Sequence, residues 1–161
     1  MRLLADEGGT LALTTVVLLP LVLVTLVGVL ELGAVRVVAE RARLAADLAT
    51  VTAVNDQDDA YLARRGRLRL APEAEDVARG SFAANLEPLA GWLASSPSAV
   101  AASADVAVFR DGGERDPRTG RRYREPTVRL TAELPVLTPA FAVLLARPVT
   151  EVRILSTSSA R

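Results

Sequence analysis

TLALTTVVLLPLVLVTLVGVL, residues 10–30, is a run of 21 residues without one charged side chain. At about 1.5 Å per residue, a helix of this length measures roughly 32 Å, against an apolar bilayer core of about 30 Å. A helix that is apolar all round must be covered all round, and the rest of a 161-residue chain is too small to surround it. The run therefore predicts a transmembrane helix over 10–30, with residues 1–9 as a short cytoplasmic leader. A cleaved secretory signal fits poorly, because such signals have shorter apolar regions and a basic lead. Here the lead MRLLADEGG carries Asp6 and Glu7 beside Arg2, and Glu31 interrupts the chain directly after Leu30. Pro20 falls mid-span, where it removes a backbone donor and predicts a kink or local loosening. Thr14, Thr15 and Thr25 are placed to bond carbonyls one turn back, and Gly28 offers a smooth spot for close approach.

Outward from the span, Glu31 has two readings. It marks the end of the apolar stretch by reaching interfacial water, or it pairs with an Arg on a partner helix, since an intramembrane acid needs a partner. The helical pattern continues to about Val54, which makes 31–55 a helical stem. Val37, Leu44, Leu48 and Val51 share one face, a stripe expected to be covered by the C-terminal domain or by a partner. Arg36–Glu40 and Arg43–Asp47 stand four apart in the weaker, Arg-first order, worth a few tenths of a kcal/mol. The cluster Asn55-Asp56-Gln57-Asp58-Asp59 reads as a solvated helix end, because the Gly and distant Glu of a calcium loop do not follow it.

Residues 56–161 read as an extracytoplasmic α+β domain. Pro72 opens a helix reaching about Asn85, with Glu73, Glu75 and Asp76 in the first turn, where the helix dipole favours acids. Residues 86–93 form a further turn with Trp92 as the expected aromatic core anchor, and 95–98 form a loop. The period then changes from helical to alternating. Residues 106–109 and 127–134 predict two antiparallel strands, joined by a long tip over 111–124 rich in turn residues. That tip carries Arg115, Arg118, Arg121, Arg122 and Arg124, a solvated loop or a contact for an acidic partner. Pro135 is expected to stop the second strand, 139–145 to form a short apolar helix or turn, and 149–157 to return as the last strand. The predicted fold class is α+β: a long N-terminal helix and stem, one or two short helices and a three- to four-stranded antiparallel sheet.

Composition narrows the chemistry. The 19 basic and 19 acidic groups balance, and all the basic ones are Arg. A neutral chain gives no global case for nucleic-acid binding. With no His, Cys or Lys, the commonest general base, thiolate metal sites and Schiff-base chemistry are unavailable. No phosphate loop, nucleophile elbow or metal-ligand spacing occurs. The expectation is a protein that is not an enzyme, with no cofactor, no metal, no nucleic acid and no small-molecule substrate.

The order of the N-terminal features resembles the TadE/TadG-like proteins of tight-adherence (Flp-type) pilus systems. The matching text is Gly8-Gly9, Pro20, Gly28, Glu31-Leu32-Gly33 and Ala45-Ala46-Asp47. More loosely, the C-terminal half has a Leu-Thr-Pro segment and a Val-x-Ile-x-Ser ending. The resemblance implies a pilin-like stem, a leader junction at Gly8, Gly9 and Thr10, and an extracytoplasmic domain on the bacterial inner membrane. It also implies partners among other pilus or secretion proteins. Thr14 stands where pilin-like members carry Glu, so the resemblance implies an accessory or minor component rather than a bulk filament subunit. The alternative is a free-standing membrane-tethered binding module that uses the Arg-rich hairpin. On charge alone, Arg2 before the span and Arg36, Arg41 and Arg43 after it favour a cytoplasmic domain; the resemblance implies the opposite topology.

Overall fold

The computed structural model describes residues 7–160, with side chains from residue 14 onward. Residues 1–6 of the expected leader lie outside it, and Gly8, Gly9 and Thr10 are described only as helical backbone. The chain is α+β. Helix α1, Glu7–Asn55, runs unbroken for 49 residues, about 74 Å at ~1.5 Å per residue. Pro20 lies inside it without ending it, and the Thr25 hydroxyl donates to the Leu21 carbonyl one turn back at 2.8 Å.

The two halves of α1 live in different surroundings. From Val16 to Leu30 the large apolar side chains are exposed. From Glu31 onward one face is covered, and apart from Val38 the apolar residues along most of it are alanines: Ala42, Ala45, Ala46, Ala49 and Ala53. Of the two covers expected for Val37, Leu44, Leu48 and Val51, the domain is not the one: they point away from it and are about half exposed. Alanine lets a helix axis approach a sheet and a second helix closely, whereas Leu and Val at those positions would hold both off. Neither predicted Arg-first pair forms an ion pair among the described residues. Asp47 is engaged elsewhere, accepting from the Ser156 hydroxyl at 2.6 Å.

That bond belongs to a polar seam between stem and sheet. Thr50, fully buried, lies 2.9 Å from the hydroxyls of both Ser156 and Ser158. Hydroxyls donate one proton and accept others, so the series Ser158 to Thr50 to Ser156 to Asp47 can be satisfied in one direction. Buried hydroxyls need such partners.

The sheet has three antiparallel strands, β1 (Asp105–Phe109), β2 (Thr127–Leu137) and β3 (Val149–Ser159), in the order β1-β2-β3. β2 buries Val128, Leu130, Ala132, Leu134 and Val136 on one face. Contrary to expectation, Pro135 continues the strand and pairs with Glu151. Its missing N–H is on the side that β1 does not reach, since β1 pairs only up to Thr131, and there proline removes no ladder bond. Its carbonyl on that side accepts from the Ala94 N–H at 2.8 Å.

Four shorter helices complete the domain: α2 (Asp59–Arg65), α3 (Ala74–Leu86), α4 (Pro97–Ser103) and α5 (Pro139–Leu145), with a 3-10 turn over Glu87–Trp92. α3 packs on the stem and inserts Phe82, which is fully buried and serves as the aromatic anchor. Trp92 does not; it is 49% exposed. The backbone becomes extended at Leu93, which bridges to Val136. Leu93 takes the core position, while Trp92, the last residue of the 3-10 turn, stays outward. α4 occupies the expected loop: Ser96 caps it by accepting from the Ala99 N–H, and Pro97 sits at its first position.

Replacing Ala46 by Leu should overfill the stem–domain contact and lower stability by about 1–3 kcal/mol. Leu48→Ala, on the bare face, should change it far less. Urea unfolding in detergent micelles, followed by circular dichroism, measures both.

Candidate functional site

The most unusual arrangement is where α1 passes from its bare half to its covered half. Glu31 is 7% exposed although it ends the apolar run. Its two carboxylate oxygens accept from the backbone N–H groups of Ala140 at 2.8 Å and Phe141 at 2.6 Å. These belong to the first turn of α5, where N–H groups have no partner within the helix. Pro139 brings no N–H, and Thr138, at the capping position, donates its hydroxyl to the Arg147 carbonyl instead. Glu31 therefore caps a helix 109 residues away in sequence. A carboxylate at a helix N-terminus also meets the positive end of its dipole. The finding replaces both sequence readings of Glu31: it faces neither water nor a partner's Arg, but its own chain.

α5 is held at its other end as well. Ala146 takes the left-handed conformation at φ 54°, which costs a non-glycine residue on the order of 1 kcal/mol. The bonds from Thr138 to the carbonyls of Arg147 and Pro148 fix the return. Gly28 receives the helix: a Cβ built there would meet the Phe141 ring at 4.0 Å. The C-terminal end of α5 is bare, with Val143 86% and Leu145 63% exposed. Two apolar clefts flank them. One, about 280 Å³, is lined by Val27, Leu30, Trp92, Leu137 and Ala140; the other, about 330 Å³, lies beneath Trp92, Pro139 and Pro148. Of the anchor features singled out in the sequence, Gly28 and Glu31 thus meet at α5, while Thr14 and Pro20 lie further down α1.

The Arg-rich hairpin tip is a second cluster. The Arg118 guanidinium pairs with Asp105 at 2.6 Å. Arg115 Nε donates to the Gly120 carbonyl, Arg122 Nε donates to the Gly113 carbonyl, and Arg121 lies over the Tyr123 ring. All four are engaged within the hairpin. Its centre, unforeseen in the sequence, is Asp116, which is fully covered and pairs with the buried Arg129 at 2.5 Å. Burial pushes the Asp116 pKa up. The Thr119 hydroxyl, the Arg118 N–H and the Arg129 charge outweigh this and hold it below its ordinary 3.8. Gly112 admits no side chain, since a Cβ would sit 2.3 Å from the Arg124 carbonyl oxygen.

A further cavity, about 670 Å³, is an open groove lined by residues such as Tyr61, Arg67, Asp111 and Arg124. No group of three or more acidic, His or Cys side chains among the described residues could hold a metal ion. No family model matches the chain, and no curated protein or solved structure matches it.

Glu31→Ala should leave two N–H groups of α5 unpaired and weaken its docking by about 1–3 kcal/mol. Hydrogen exchange at Ala140 and Phe141 should accelerate accordingly, with exchange in β2 unchanged. A depressed carboxyl pKa stabilises the fold above the unfolded value, and that stability is lost as pH falls through the folded value. The hairpin should therefore loosen in acid, below pH 3.8. Asp116→Asn should be less stable at neutral pH and lose this component of the acid response, as read from exchange of the Arg118 and Thr119 amides across a pH series.

Proposed function

We propose that this chain is a single-pass protein of the bacterial inner membrane. In this reading it serves as an accessory or minor pilin-like component of a Tad/Flp-type pilus or a related secretion apparatus, and it acts by assembly rather than by catalysis. The observation that carries the anchor is the contrast along α1. In the apolar half of α1, an 18-residue stretch suited by length and composition to crossing a membrane has only 6% of its residues buried by the rest of the chain. Exposing that much apolar surface to water is unfavourable at about 25 cal/mol per Å², and a bilayer removes the penalty without any partner.

Assembly is supported by the other bare face. Val37, Leu44 and Val51 recur every seven residues, with Leu48 between them, and all are exposed on the stem above the anchor. A seven-residue apolar repeat suits helix-to-helix packing. The domain covers the opposite, alanine face and so leaves this one free for neighbouring stems. The order of Gly8-Gly9, Pro20, Gly28, Glu31 and Ala45-Ala46-Asp47 gives the pilus reading its content. The tethered binding module draws less support, because Arg115, Arg118, Arg121 and Arg122 are engaged inside the hairpin.

Three measurements test the proposal. A clean deletion should abolish or sharply reduce piliation; normal pili would overturn the pilus role. Protease added to intact spheroplasts should digest the domain; a protected domain would place it in the cytoplasm. Leu44→Arg with Leu48→Arg should leave the domain folded by circular dichroism but remove the protein from co-purified pilus machinery.

A further inference from the structure

We infer that α5 and Trp92 form a second lipid contact, an apolar foot set into the interfacial layer of the leaflet from which the anchor emerges. The inference rests on the membrane reading of residues 10–30 and goes beyond it: the domain would lie on the bilayer rather than stand clear of it on its stem.

Depth is the first argument. The cleft beside α5 is lined jointly by Val27 and Leu30, from the uncharged run, and by Trp92, Leu137 and Ala140, from the domain. Phe141 meets Gly28, which lies three residues, about 4.5 Å along the axis, below Glu31 on the span side. A bilayer that covers Val27 and Leu30 therefore reaches the foot as well. The occupant follows from this continuity, because one lipid surface covers both.

Chemistry is the second. Residues 134–146 contain no charged side chain, and Arg147 follows at once. Val143, Leu144 and Leu145 are exposed at the end of α5, and an Arg beside such a segment can extend its guanidinium to lipid phosphates. Trp is favoured at this depth, where its ring is apolar and its N–H stays near water. Glu31 is the one carboxylate at this level of α1, and two N–H bonds from α5 satisfy it. The capping bond thus removes an uncompensated acid from the interface and holds the foot down in the same step.

Trp92 is the single tryptophan in the chain, so its fluorescence reports the foot directly. The full chain is reconstituted into vesicles of phosphatidylethanolamine and phosphatidylglycerol that carry nitroxide lipids labelled either near the headgroup or near the acyl terminus. The expected result is blue-shifted emission, quenched more by the shallow label than by the deep one and only weakly by aqueous iodide. Val143→Glu with Leu145→Glu, both on exposed positions, should shift the emission to the red and raise iodide quenching several-fold. A Trp92→Phe, Leu19→Trp variant places the reporter mid-span. Strong iodide quenching of Trp92 without lipid quenching, while Trp at 19 is quenched by the deep label, would overturn the foot and leave the anchor standing. Shielding of Trp92 from both iodide and lipid would overturn it in favour of a protein neighbour. If Trp at 19 escapes the deep label, the anchor and the foot both fall.

Discussion

One carboxylate, Glu31, joins the two regimes of a single helix. On its N-terminal side, α1 exposes large apolar side chains all round; on its C-terminal side, the helix buries an alanine face under a three-stranded sheet and α3. The backbone of α1 does not break between them. The register of the domain along the helix is set instead by bonds that only one position can make: Glu31 to the first turn of α5, and Asp47 and Thr50 to Ser156 and Ser158. Two polar fastenings, one before the alanine stripe at Glu31 and one within it at Asp47 and Thr50, restrain sliding. Alanine packing alone is nearly featureless along a helix and would specify the offset poorly.

This placement connects packing to the proposed role. Small residues bring the domain against one side of the stem, so the opposite side keeps its larger side chains for neighbours. α5, tied to Glu31, puts the domain's most exposed apolar side chains beside the last turns of the proposed anchor. The hairpin tip lies at another part of the domain and is internally braced around Asp116 and Arg129. Its arginines hold the loop's shape, with Gly112 allowing the close return of the chain at Arg124.

The long helix, its end near Asn55, the helix after Pro72, the alternating strands and the apolar segment after Pro139 were all legible in the sequence, because each has a period or a boundary residue. The packing face of the stem was not. Hydrophobicity favoured Val37, Leu44 and Leu48, whereas close approach favoured alanine, and only the neighbouring elements decide between the two. The outward place of Trp92 is illegible for a related reason: the 3-10 turn ends there, and the core position passes to Leu93, where the backbone becomes extended. Ser96-Pro97 carries a readable capping signal, a serine N-cap before a proline at the first helical position, inside a stretch whose composition is that of a loop. The partner of Glu31 was beyond reach, because nothing local in the sequence links a carboxylate to backbone N–H groups 109 residues later. The Asp116–Arg129 pair was hidden in the same way, its members sitting on the hairpin tip and on β2.

The claim beneath all of this is that the bare half of α1 lies in lipid. Alkaline carbonate extraction of membranes from cells that make the full-length chain tests it most directly. The expected result is that the chain stays in the membrane pellet and is released only by detergent. A chain that enters the carbonate supernatant and remains monomeric in water without detergent would contradict it.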